Sequence, residues 1–249
     1  MRTIAIGDIH GGYKALVQLI EKLELQDDDL LIFLGDYVDG WSQSYEVIDF
    51  LISLSRKRKH NNQTPPIFLR GNHDELMVQN LRAKVPHEMW LYHGGKSTLE
   101  SYSNISEAEI DVHTQFLTED LLNYYEKDGN GFFHAGFHNL KGPKYEYYPT
   151  MTYWDRSLWE MALALDTEFD KENDRYPNRL KLYNEIFIGH TPTDRLGMHE
   201  PINAANIWNL DTAAAYKGPL TAMCVETKKI WQSDPVHTFY PDENGRNQT

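Results

Sequence analysis

Residues 33–40 read FLGDYVDG. An apolar run, Leu30 to Leu34, stops at Gly35 and is followed by Asp36, Asp39 and a second glycine, Gly40. Taken alone, this is a buried strand that ends in a polar turn, since Asp and Gly favour turns. The same punctuation recurs elsewhere. TIAIG (3–7) runs into Asp8 and His10 within GDIHG, and PPIFLRG (65–71) runs into Asn72, His73 and Asp74 within RGNHDE. GFFHAG (131–136) carries His134, and EIFIGHT (185–191) carries His190. Each fragment is an apolar run, then Gly or Arg-Gly, then groups able to hold a metal.

The segments between these runs have a different period. Residues 12–25 place Leu16, Leu19, Ile20 and Leu23 on one helical stripe, and residues 44–59 form a second stripe. Ser44 is the expected cap of that second helix, and its basic end, Arg56 to Lys59, reads as a solvated face that complements the helix C-terminus. Strand and helix alternate, which predicts an α/β chain with parallel strands and right-handed crossovers. In such sheets the ligand site lies at the carboxyl ends of the strands, so the five loops are expected to converge. Ala108 to Lys127 reads as helical. NIWNLDT (206–212) and TAMCVETKKIWQS (221–233) read as further strands, and the polar stretch Asp166 to Asn178 as an excursion. One domain over residues 1–240 and a frayed tail over 241–249 follow.

Composition narrows the function. The 249 residues carry 24 Lys+Arg against 37 Asp+Glu, a net charge of −13, which disfavours binding of a nucleic-acid duplex through a basic face. An anionic substrate would need a local source of positive charge, and bound metal ions would supply it. No uncharged apolar run approaches the length of a membrane span, and the N-terminus enters a strand at once, leaving no room for an apolar leader. The lone Cys224 cannot form an internal disulfide and reads as core, which fits the cytoplasm. The strand-end donors are carboxylate, amide and imidazole without thiolate. That set suits Mn, Fe or Zn better than Ca, and its size suits two ions.

The ordered set GDIHG, GDYVDG, RGNHDE, HAG, GHT resembles the calcineurin-like metallophosphoesterases, and LRGNH with GHTP is most similar to the bacterial phosphoprotein phosphatase branch. The resemblance runs from Gly7 to about Asp211. It implies a sandwich of mixed β-sheets flanked by helices, and a dinuclear centre, most simply of manganese. Asp8 and His10 would bind the first metal, Asp36 would bridge, and Asn72, His134 and His190 would complete the second. His73 would be the general acid and Asp39 its orienting carboxylate. The implied activity is hydrolysis of phosphomonoesters, with phosphoserine or phosphothreonine in proteins as first reading and dinucleoside tetraphosphates as alternative. A non-catalytic scaffold is a third reading, disfavoured because every expected ligand type is present.

The departures from the pattern raise further expectations. Relatives place a phosphate-gripping arginine directly after the second aspartate, where this chain has Gly40. Arg156, in YWDRSLW, and Arg70 are the candidate substitutes, and with Asn72 they form the expected substrate-binding set. Asp74 reads as a supporting or neutral residue. His93, His113 and His138 match no motif and read as structural or surface residues. Trp154, Trp159, Tyr145, Tyr147 and Tyr148 read as packing or as the floor of a cleft.

Overall fold

The computed structural model describes residues 1–166 and 169–246. Among them, two five-stranded sheets stand face to face. The first has the order β10–β9–β1–β2–β3, where β1 is Thr3–Ile6, β2 Leu30–Phe33, β3 Ile67–Phe68, β9 Pro219–Cys224 and β10 Ile230–Pro235. The second has the order β4–β5–β6–β8–β7, where β4 is Tyr124–Lys127, β5 Asn130–Phe133, β6 Ile186–Ile188, β7 Ile202–Ala204 and β8 Ile207–Asn209. Strands β1, β2 and β3 pair in parallel, as do β5, β6 and β8. The antiparallel strands β9 and β10 on one sheet, and β4 and β7 on the other, make both sheets mixed.

Strand alternation divides the apolar residues into layers, because successive side chains point to opposite faces. Ala5, Leu30, Ile32, Leu34 and Met223 face inward and meet Phe132, Phe187 and Leu210 of the second sheet. Ile4, Ile6, Leu31 and Phe33 face outward and pack on helices α1 (Tyr13–Leu23) and α2 (Ser44–His60) through Leu16, Leu19, Val47 and Leu51. On the far side, Phe133, Ile186, Ile188 and Ile207 pack on Leu158, Trp159 and Leu180. A buried Leu or Ile contributes about 1.5–3 kcal/mol, so each layer is held by many such terms. This is the helix-flanked sandwich of mixed sheets that the motif resemblance implied.

Four local expectations differ from the structure. Ser44 does not cap α2; Gln43 occupies the N-cap without a side-chain bond, and Ser44 Oγ lies 3.1 Å from Thr98 Oγ1. Arg58 is buried rather than solvated, because its guanidinium donates to the carbonyls of Gln26, Asp27, Asp29 and Thr64 at 2.6–3.2 Å and so closes the turn before β2. The helix expected over 108–127 ends early. Residues 107–115 are helical and 116–120 continue in a wider turn, but Tyr124–Lys127 pairs with β5 as strand β4. The tail is docked through residue 246: Ser42 donates to the Glu243 carboxylate from its N–H at 2.9 Å and from its hydroxyl at 2.6 Å, and the Arg246 N–H donates to Ala215 O at 2.8 Å. Residues 247–249 lie outside the described residues.

Candidate dinuclear metal centre

The six parallel strands all aim their carboxyl ends at one place. β1, β2 and β3 deliver Asp8 and His10, Asp36 and Asp39, and Asn72 and His73, while β5 and β6 deliver His134 and His190. All of these side chains are buried. The loops are tied to one another: the N–H groups of Ile9 and His10 both donate to Asp36 O at 3.0 and 2.9 Å, and Gly11 N–H donates to Tyr37 O at 2.8 Å. Asp74 ties the next pair, accepting from the N–H groups of Asp36, Tyr37 and Gly71 at 2.8–2.9 Å. A Cβ on Gly71 would lie 2.1 Å from Asp36 Oδ1, so only glycine lets this carboxylate stand against the third motif. His10, Asp36, Asp39 and His190 all adopt left-handed φ, 51° to 69°, a strained backbone for residues with a Cβ and one that clusters at functional sites.

Asp36 sits at the centre. Its Oδ2 lies 3.5 Å from His10 Nε2 and its Oδ1 lies 3.4 Å from His134 Nε2, so its two oxygens face two different histidine groups. One group is His10, Asp36 and His73, and the other is Asp36, His134 and His190, each with ligand atoms within 4.8 Å of one another. Asp8 Oδ2 lies 3.9 Å from His10 Nε2, and the Asp8 carboxylate accepts the His190 N–H. Asn72 Oδ1 lies 3.2 Å from His134 Nε2.

The ring orientations fit a metal. His10 Nδ1 lies 2.8 Å from Asp39 O and 3.0 Å from Val38 O, and His134 Nδ1 lies 2.9 Å from Leu34 O. Carbonyls can only accept, so both Nδ1 atoms carry hydrogens and both Nε2 atoms present lone pairs, the usual support for a ligating imidazole. His134 Nε2 then faces Asn72 Oδ1, Asp36 Oδ1 and His190 Nδ1, at 3.2, 3.4 and 3.2 Å. So many electron pairs at that spacing require a proton or a cation among them. Burial alone lowers the basicity of His134, but the Asp36 and Asp8 carboxylates outweigh it and hold its pKa at about 9. Among the described residues the opposite buried nitrogen, His190 Nε2, has no protein partner.

The remaining groups surround this cluster. His73 Nδ1 lies 2.8 Å from Asp39 Oδ2, which leaves His73 Nε2 free of that contact. Burial pushes the pKa of His10 and His73 down to about 3 and that of Asp39 up to about 7. A shallow cavity of about 130 Å³ opens over the site, lined by Asp36, Asn72, His73, Arg156, His190 and Arg246. Arg156 donates from Nη1 to His190 O at 3.1 Å and to Thr191 Oγ1 at 2.8 Å. Arg70 does not line the cavity; its guanidinium donates to Leu117 O and Thr118 O at 2.9 and 3.1 Å. Among the aromatics, Trp154 lines the cavity, Trp159 is core, and Tyr145, Tyr147 and Tyr148 are exposed. His113 is buried against Tyr45 and Tyr102, whereas His93, read from sequence as structural or surface, also lines the cavity.

Sequence reasoning missed two groups. Asp211 is buried near Asp8 and raises its pKa further, after burial itself. It follows β8 as Asp8 follows β1, so the strand-then-carboxylate rule could have found it. Arg246 lies in a polar tail without any local signal.

The calcineurin-like phosphoesterase family profile matches residues 1–214. The chain is 27% identical over 243 residues to an asymmetrical bis(5'-nucleosyl)-tetraphosphatase PrpE of Halalkalibacterium halodurans, covering 90% of this chain and 89% of that one. It is 28% identical over 238 residues to the protein of the same name from Anoxybacillus flavithermus, covering 88% of each. Among solved structures, a serine/threonine phosphatase from Saccharomyces cerevisiae superimposes with a TM-score of 0.58 at 16% identity, covering 94% of this chain and 80% of that one. Among the described residues no helix is long and apolar enough to cross a membrane.

Proposed function

The chain belongs to the calcineurin-like phosphoesterase family and is a metal-dependent phosphoester hydrolase, and on that premise we propose that it cleaves bis(5'-nucleosyl) tetraphosphates. The observation that carries the chemistry is the position of Asp36, with one oxygen toward His10 and the other toward His134, as a carboxylate shared by two ions would stand. The substrate rests on the two relatives of that name, which match along almost the whole chain. The order of the two substrates expected from the motifs is thereby reversed.

Asp8, His10, Asp36, Asn72, His134 and His190 would hold two divalent ions, with manganese as the proposed metal. Such ions, when bound, neutralise phosphoryl charge and activate the attacking water. The chain's own residues do the rest. His73, held through Nδ1 by Asp39, presents Nε2 to the leaving oxygen; burial holds its pKa low, so it acts as proton donor once the negative charge of a bound phosphoryl group draws a proton onto Nε2. Arg156, half engaged by the His190 carbonyl, keeps guanidinium donors for a phosphoryl oxygen.

A second reading, hydrolysis of phosphoserine or phosphothreonine, is favoured by the His73–Asp39 pair. A serine alkoxide leaves poorly without a proton, whereas a nucleotide phosphate leaves well. The experiment is a comparison of kcat/KM on Mn-loaded protein between bis(5'-adenosyl) tetraphosphate and phosphoserine peptides, with products separated by chromatography. A nucleoside triphosphate and a monophosphate in equal amounts support the first reading. A phosphopeptide efficiency at least tenfold higher overturns it in favour of the second.

A further inference from the structure

The space beside Gly40 is already filled. A Cβ built on Gly40, whose φ is +143°, would lie 3.5 Å from Cγ of Arg246, and a Cβ on Gly94 would lie 3.3 Å from the same atom. The stem of Arg246 therefore runs against two residues that have no side chains, and a long side chain at position 40 would compete with it for this slot. The segment is anchored on both sides of the stem's origin: Glu243 accepts from Ser42, a Cβ on Gly245 would strike the Trp41 ring at 2.7 Å, and Arg246 N–H donates to Ala215 O. Arg246 lines the cavity over the metal cluster together with Asp36, Asn72, His73 and Arg156. Among the described residues its guanidinium has no hydrogen bond or ion pair, and its Cζ stands 5.7 Å from the Tyr216 ring.

We propose that Arg246 is a phosphate ligand of the active site, supplied by the C-terminal segment in place of an arginine at position 40. An unpaired guanidinium beside a cluster of buried carboxylates, in a chain of net charge −13, is a cation held for an incoming anion. Its fork matches two phosphoryl oxygens with parallel hydrogen bonds, which a lysine cannot do. Arg246 also lines a neighbouring groove of about 620 Å³ with Gly40, Tyr92, Lys96 and Ser97. It thus stands on the wall between the phosphoryl position and the groove into which the rest of a substrate can extend. Arg246 lies in the C-terminal segment, beyond the family-matched residues 1–214. The inference rests on the phosphoester reading and is the same for either substrate.

The test uses Mn-loaded full-length protein and inorganic phosphate as probe, with binding followed by calorimetry. Arg246→Met keeps a stem of similar reach against Gly40 and Gly94 but removes the fork. Phosphate affinity is expected to fall about 10–100-fold, comparable with losing one preorganised donor, while metal content and melting temperature stay at wild-type values. Arg246→Lys is expected to recover only part of the loss. Wild-type phosphate affinity in Arg246→Met overturns the proposal. So does a variant that loses metal content or melting temperature and is fully restored by lysine, because that assigns the residue to packing. Wild-type protein that takes up no manganese and hydrolyses no nitrophenyl phosphate overturns the phosphoester reading itself, and this inference with it.

Discussion

His73 Nδ1 and Asp39 Oδ2 lie 2.8 Å apart, and both side chains are buried. The same Asp39 oxygen accepts from Trp90 Nε1 at 2.7 Å, and the other accepts from Thr98 Oγ1 at 2.7 Å. Burial raises the pKa of Asp39, and these two donors pull it back, leaving it at about 7. The carboxylate is therefore fixed by two donors before it meets the imidazole, and the imidazole is fixed in turn.

The first prediction follows from that rigidity. His73→Asn is expected to lose about 10²–10⁴-fold in kcat on an alkyl phosphate and much less on a nitrophenyl ester, whose leaving group needs no proton. Asp39→Asn should show the same leaving-group dependence more weakly. Metal analysis separates this from a ligand role, because His73 stands within ligand reach of His10 and Asp36. A metal-depleted His73→Asn protein would make His73 a ligand rather than an acid.

The second prediction concerns metal removal and pH. In metal-free protein His134 holds a proton up to about pH 9, because Asp36 and Asp8 outweigh its burial. An ion must displace that proton, so manganese binding is expected to release protons between about pH 7 and 9. Calorimetry in buffers of different ionisation enthalpy measures the release. The same shift has a stability consequence. A raised folded-state pKa gives stability that is complete below the unfolded value of about 6.5 and is lost as pH rises through about 9. Metal-free protein should therefore melt at lower temperature at pH 9 than at pH 6.5, and manganese should remove most of the difference. A pH-independent melting temperature in the chelated protein would contradict the assignment.

Asp74 supports the third prediction. It accepts three buried N–H groups from two different motifs. Asp74→Ala leaves those donors without partners, at about 1–3 kcal/mol for each that water cannot reach. The variant is expected to be destabilised by on the order of 3 kcal/mol in urea unfolding, and to bind manganese less tightly because Asp36 loses its backbone anchor. An effect under about 0.5 kcal/mol would make Asp74 a bystander.

What sequence could and could not show divides along physical lines. The strands that end in ligands are legible because burial on both faces leaves an apolar run, and a glycine must follow where a carboxylate approaches the backbone, as Gly71 follows β3. Arg58 is not, since a basic run at a helix end looks the same whether its donors meet water or the carbonyls of the loop 26–29. Ser44 has a cap's identity but serves a hydroxyl chain through Thr98 to Asp39, a contact 54 residues distant that no local rule encodes. Arg246 is the extreme case. Its surroundings, NGRNQT, are those of a frayed terminus, and only the absence of a side chain at Gly40 and Gly94 makes room for it.

The last prediction separates the two arginines that sequence offered as phosphate ligands. Arg156 lines the metal cavity, and Nη1 is oriented by His190 O and Thr191 Oγ1, which leaves the other guanidinium donors for an anion. Burial lowers its pKa, with Arg195 adding to the effect, yet the guanidinium stays charged. Arg70 spends its donors on Leu117 O and Thr118 O and ties the chain after the helix over residues 107–115 back to the third motif. Arg156→Ala should therefore lose on the order of 10²-fold in kcat/KM with metal content preserved, and Arg156→Lys should also be costly, because a point charge cannot replace a fork held in one plane. Arg70→Ala should instead lower stability by about 1–3 kcal/mol and leave inhibition by free phosphate unchanged. The measurement is a phosphate inhibition constant beside a urea midpoint for each variant. If Arg70→Ala weakens phosphate inhibition and Arg156→Ala does not, the roles read from these hydrogen bonds are exchanged.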